Sequence, residues 1–148
     1  MTPIDKDILL RVAHWTENNK RKIVSKIREM AETEENYLVF IKELDRIESQ
    51  RRRARCLGAQ ATLTLADWFA TLDYFDWRCA YCRKKPFQVL FHFTPLPEGG
   101  TTRENCIPVC YSCRSSRNHE DTLVRDYIAR MKMQTEACQV DKSTPGIA

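Results

Sequence analysis

Residues 79–113, CAYCRKKPFQVLFHFTPLPEGGTTRENCIPVCYSC, decide how this chain folds. The segment begins and ends in CxxC turns, Cys79/Cys82 and Cys110/Cys113, with 27 residues between them. Each turn lets two thiolates bind one metal, and two such knuckles complete a tetrahedral four-sulfur site suited to Zn²⁺. Four thiolates leave no open coordination position, so the expected zinc is a structural staple, with any chemistry in the residues it encloses. A redox CxxC pair is the alternative. Of the seven cysteines, Cys56, Cys106 and Cys138 stand alone and read as small buried residues.

The whole chain has 148 residues, 43% hydrophobic and 30% charged, enough for one modest core with an appendage. No apolar run approaches the ~20 residues that span a bilayer, so no membrane association is expected. The opening MTPIDKD lacks a signal peptide's apolar stretch. A cytoplasmic location follows, where thiols stay reduced and paired CxxC turns favour metal over disulfides. The net charge of +4 is too small to imply nucleic-acid binding by itself. Its distribution is more informative: Lys20-Arg21-Lys22, then Arg51, Arg52, Arg53 and Arg55, then Arg83-Lys84-Lys85, then Arg114 and Arg117. A solvated helix end is the ordinary meaning of such a cluster; beside a nuclease-like site it becomes a phosphate contact.

Upstream of the knuckles, apolar residues recur at helical spacing in three stretches. Ile8, Leu9, Val12 and Trp15 mark a first helix over about 5–15. Ile23, Ile27 and Met30 mark a second over 17–32. Tyr37, Leu38, Ile41, Leu44 and Ile47 mark a third running toward Arg55. Only residues 32–35 separate the last two, predicting a helical hairpin whose stripe is either core or a docking face for a protein partner. Thr64-Leu-Ala-Asp67 has the form of a capping box and predicts a helix through Trp68, Phe69, Leu72 and Phe75, packed over the zinc unit. Alternation at Phe87, Val89, Phe91 and Phe93 predicts a strand, Ile107 to Cys110 a second, and Ser112 to about Met133 a closing helix. The fold class expected is α+β: a helical extension over 1–57, a zinc-stapled domain over 58–135, and a flexible tail over 136–148.

Read between the knuckles, the segment presents His92, Pro95, Gly99-Gly100-Thr101 and Glu104-Asn105 in that order. Over about 62–118 this resembles the zinc-containing branch of the HNH endonuclease family. The resemblance implies a ββα-metal fold, a β-hairpin and helix gripping one divalent cation beside a scissile phosphate. It implies His92 as general base on water and Asn105 as the asparagine that orients the histidine-bearing loop. In that chemistry the metal stabilises charge on the leaving oxygen while the base deprotonates the attacking water.

Two positions depart from the family pattern. Phe91 stands where the family carries a metal-binding aspartate, and Arg114 where it carries an asparagine or histidine. A benzyl group cannot coordinate a hard cation such as Mg²⁺, and a guanidinium repels it. Asn118 and His119 are the candidate substitutes. The sequence therefore predicts an HNH-like protein that binds nucleic acid, DNA before RNA, through Arg51, Arg52, Arg53, Arg55, Arg114 and Arg117, with cleavage weak or lost. The alternative is an active endonuclease using His92 with Mg²⁺ or Mn²⁺. A third reading is an interaction subunit of a nucleoprotein complex, docking through the N-terminal helices.

Overall fold

The computed structural model describes residues 4–19, 24–116 and 121–143. Helix α1 (Lys6–Asn18) begins at Asp5, whose carboxylate accepts the amides of Asp7 and Ile8 as an N-cap does. Helix α2 (Val24–Ala31) stops at Glu32, which turns left-handed at φ 69°. Thr33 then caps α3 (Glu34–Cys56) by accepting the Asn36 amide. Helix α3 carries Glu34 and Glu35 in its first turn and Arg53 and Arg55 in its last, in line with its macrodipole. Helix α4 (Leu65–Tyr74) starts at Thr64, whose hydroxyl accepts the Asp67 amide. Its Ala66 amide is satisfied from a distance, by Glu17 of α1 at 3.1 Å.

Strands β1 (Val89–His92) and β2 (Cys106–Val109) pair antiparallel, Val89 opposite Val109 and His92 opposite Cys106. Helices α5 (Tyr111–Ser116) and α6 (Thr122–Ser143) follow. The fold is α+β, mostly helical, with one two-stranded sheet. None of the described helices is long and apolar enough to cross a membrane.

The sheet divides two cores. One holds Leu9, Val12, Ile27, Phe40, Ile47, Trp68, Phe69 and Leu72, and takes Leu90 and Cys106 from the strands. The other gathers Tyr81, Phe91, Ile107, Val109, Val124, Tyr127 and Ile128 around Cys79 and Cys110. Alternate residues of β1 therefore serve different cores, as the strand period requires.

Several sequence expectations change. The N-terminal helices are no appendage, because α1, α2 and α3 share their core with α4 and the sheet. Helix α4 packs on α1 instead of lying over the cysteines; only its end reaches them, through Phe75 and a 2.8 Å bond between Thr71 and Tyr127. Phe87 leaves the alternating face of Val89, Phe91 and Phe93 and lodges against Trp68 and Trp77, since it precedes the paired strand. The apolar stripe of α3 faces inward: Tyr37, Leu44 and Ile47 are buried, leaving Leu38 exposed. A docking face on that stripe loses its residues to the core. The single closing helix is two, α5 and α6. The second runs to Ser143, past the tail boundary drawn at 136, because no Gly or Pro occurs before Pro145.

One ion pair lies inside this framework. Glu43, 3% exposed, accepts the Trp68 indole N–H at 3.0 Å and binds Arg46 Nε at 2.8 Å. Arg46 in turn donates to the Gln88 carbonyl at 3.0 Å and lies over the Phe87 ring, tying α3 to the entry of β1. Removing the carboxylate strands a guanidinium and an indole N–H together. Glu43→Ala is expected to lower unfolding free energy in urea by about 3 kcal/mol, and Glu43→Gln by less, since an amide oxygen still accepts from Trp68.

Candidate functional site

Cys79 and Cys82 lie in the turn before β1; Cys110 lies between β2 and α5, and Cys113 is on the first turn of α5. Their four Sγ atoms lie within 4.8 Å of one another. Tetrahedral zinc at about 2.3 Å per bond asks for sulfur separations of about 3.8 Å, so a small contraction completes the site. The donor set is all soft sulfur, which fits zinc and leaves no position for water or substrate. An ion held by these four thiolates would supply structure. Backbone bonds frame the knuckles: Cys79 N–H to Lys85 O at 2.9 Å, Ala80 N–H to Pro108 O at 2.8 Å, and Arg114 N–H to Cys110 O at 3.0 Å.

The thiols titrate unequally. Amides of Lys85 and Lys84 donate to Cys82 and pull its pKa down to about 6. Burial, then the neighbouring Cys110 and Cys79, push Cys113 up to about 12. The Cys82 thiolate thus forms readily while Cys113 resists ionisation, a conflict a divalent cation would relieve. The first knuckle is also fastened to α6: Arg83 contacts Asp121 at 2.7 Å, and Asp121 accepts the Val124 amide at 3.0 Å.

Between α3, β1 and the start of α5 opens a cleft of about 240 Å³. Arg46, Gln50 and Arg53 of α3 line it, with β1 from Val89 to His92, the following Pro95 and Leu96, and Arg114 of α5. Positions 46, 50 and 53 lie at i, i+4 and i+7, one face of a helix. Arg46 was missed as a site residue because it stands outside the Arg51–Arg55 run; its helical spacing to Arg53 was the available signal.

His92 is buried at the end of β1. Its Nε2 lies 2.9 Å from Thr101 Oγ1, and that hydroxyl donates to the Gln50 carbonyl at 3.2 Å. The threonine's one proton is thereby used, so His92 Nε2 carries the hydrogen and Nδ1 the lone pair. Burial, then the charge of Arg53, holds the imidazole pKa down to about 4. It is neutral at pH 7.

The other candidates divide. Asn105 does not line the cleft. Its oxygen accepts the Thr94 amide at 2.8 Å and its nitrogen donates to Thr94 O and Gly100 O, which makes it a clamp on the loop from Phe93 to Asn105. Gly99 lies so close beneath that clamp that a Cβ would strike Thr94 O and the Asn105 amide. Arg51 points elsewhere, donating to the Leu63 carbonyl at 3.2 Å; burial, then Arg55, lowers its pKa. Arg52 and Arg55 are exposed outside the cleft. The Phe91 ring turns into the second core against Tyr81. Arg117, Asn118 and His119 lie outside the described residues, as do Lys20, Arg21 and Lys22.

Comparison with protein-family models, curated proteins and solved structures finds no match to this chain.

Two outcomes follow from this geometry. Elemental analysis should find about one zinc per chain, and none in a Cys79→Ser/Cys110→Ser variant. Chelation should erase the near-ultraviolet signal of Tyr81 and Tyr127 while changing tryptophan emission less, because Trp15, Trp68 and Trp77 belong to the first core. For His92 the folded pKa, about 4, lies below the ordinary 6.5. The unfolded chain therefore takes up this proton first, and its contribution to stability is present above pH 6.5 and lost as pH falls toward 4. Thermal melting of His92→Gln should fall less steeply than wild type across that window; parallel profiles would contradict the buried neutral imidazole.

Proposed function

We propose that this chain is an HNH-like zinc protein that holds a nucleic-acid phosphate in the cleft beside His92 and does not depend on a second metal to do so. The observation that carries the proposal is the cleft's lining: three arginines and a neutral histidine, with no carboxylate among the described residues. Arg46 is already neutralised by Glu43. Arg53 and Arg114 have no ion pair among the described residues, so they bring the positive charge available to a ligand. Guanidinium forks match phosphate oxygens, and displaced counterions make such binding strongly salt-dependent.

The order of parts agrees with the HNH resemblance: a hairpin bounded by cysteine knuckles, a histidine ending its first strand, and a helix after its second. The donors at the cleft do not fit Mg²⁺ or Mn²⁺. Those ions want several oxygen ligands, and here the guanidinium cations of Arg53 and Arg114 line the same space. A histidine held near pKa 4 is also a weak proton acceptor, far from the value that favours general-base catalysis at neutral pH. Binding without efficient hydrolysis is the consequence. DNA is the first ligand to test, as the resemblance implies, with RNA beside it.

Zinc-loaded protein is expected to bind labelled DNA or RNA with an affinity that falls steeply with salt. Arg53→Ala and Arg114→Ala should each weaken binding and reduce the salt slope by about one. Arg51→Ala should leave that slope unchanged. Supercoiled plasmid incubated with Mg²⁺ or Mn²⁺ should stay intact; metal-dependent nicking that disappears in His92→Ala would establish the endonuclease instead.

A further inference from the structure

Of the two exposed aromatic residues among the described large apolar side chains, one is spoken for. Tyr74 packs against Phe75 and Tyr127, with Arg130 near its ring. Tyr111 is 55% exposed, and no ring or cation covers it among the described residues. It opens α5, three residues before Arg114, so the two side chains are neighbours on one helix face.

Its surroundings tie it to the cleft. The Tyr111 amide donates to Gln88 Oε1 at 3.0 Å, and the Gln88 carbonyl accepts Arg46 Nη1 at 3.0 Å. A single residue thus bridges Tyr111 and the cleft rim. On the other side, Lys85 Nζ lies 3.5 Å from Ser112 Oγ. Tyr111 thus opens a helix whose next residue meets the Lys85 ammonium and whose fourth residue, Arg114, lines the cleft.

We infer that Tyr111 is a stacking platform for an unpaired base whose neighbouring phosphate lies in the cleft, making single-stranded nucleic acid the ligand class of this site. The inference rests on the phosphate-binding reading above. An exposed aromatic among cations is the arrangement that holds single strands, because every base has a π-face while the cations track the backbone. In a duplex both faces of each base are already stacked, and Tyr111 has nothing to cover. The hydrogen bond to Gln88 fixes the start of α5, so the ring is offered from a firm base and not from a loop tip.

The test uses full-length, zinc-loaded protein and three probes of equal length: a labelled thymidine oligonucleotide, the same strand with abasic sites, and a duplex. Wild type should bind the intact single strand most tightly. Tyr111→Ala should weaken that binding about tenfold and leave the abasic and duplex affinities unchanged, whereas Tyr111→Trp should keep it. If Arg114→Ala weakens single-strand binding and Tyr111→Ala does not, the platform is overturned and the phosphate cleft stands. A duplex bound as tightly as the single strand also overturns it. Failure of wild type to bind any probe overturns both.

Discussion

Four sulfur atoms converging on one point constrain everything around them. They fasten the turn before β1 to the junction of β2 and α5, so the hairpin between them must close in a single register. Around that point the second core assembles, and Arg83 extends the same constraint to α6 through Asp121. Without a cation two of the thiols are driven apart: the Lys85 and Lys84 amides favour the Cys82 anion, and burial discourages that of Cys113. Binding of a metal by this cluster would therefore be coupled to formation of this core.

The first core performs a different task. It holds α3 against the sheet, and that position gives the cleft its far wall. Glu43 does the fastening, since it anchors both the Trp68 indole and the Arg46 guanidinium, and Arg46 reaches across to Gln88. Thr101 adds a second fastening by bonding His92 and the Gln50 carbonyl together. A further set of backbone bonds, from Thr62 and Leu63 to Thr101 O, pins the same residue to the segment between α3 and α4. His92 and the arginines are thus held by elements that cannot shift independently.

Much of this was legible in the sequence because it depends on spacing. The CxxC pairs announced the four-cysteine cluster, helical periods located α1 and α3, and Thr64 marked the start of α4. What stayed hidden depends on long-range packing. Nothing local in Arg51 to Arg55 says that Arg51 turns to Leu63 while Arg53 faces His92. Arg46 belongs to the cleft only because β1 lies across α3. The role of Tyr37, Leu44 and Ile47 was ambiguous for the same reason, since an apolar stripe looks alike whether it meets its own chain or another. Asn105 could be found by its place in the motif, but its three bonds to loop backbone required the loop itself.

The division of the protein by its sheet also has a temporal side. Nearly all of the first core comes from residues 8–72, ahead of every cysteine ligand. During synthesis these helices leave the ribosome before the knuckles exist, and N-terminal units pack as they emerge. Leu90 and Cys106 then dock onto a surface already in place. The order of the chain thereby lets the nascent helices pack without the cysteine cluster, and any metal that cluster takes would be captured as a closing step of assembly.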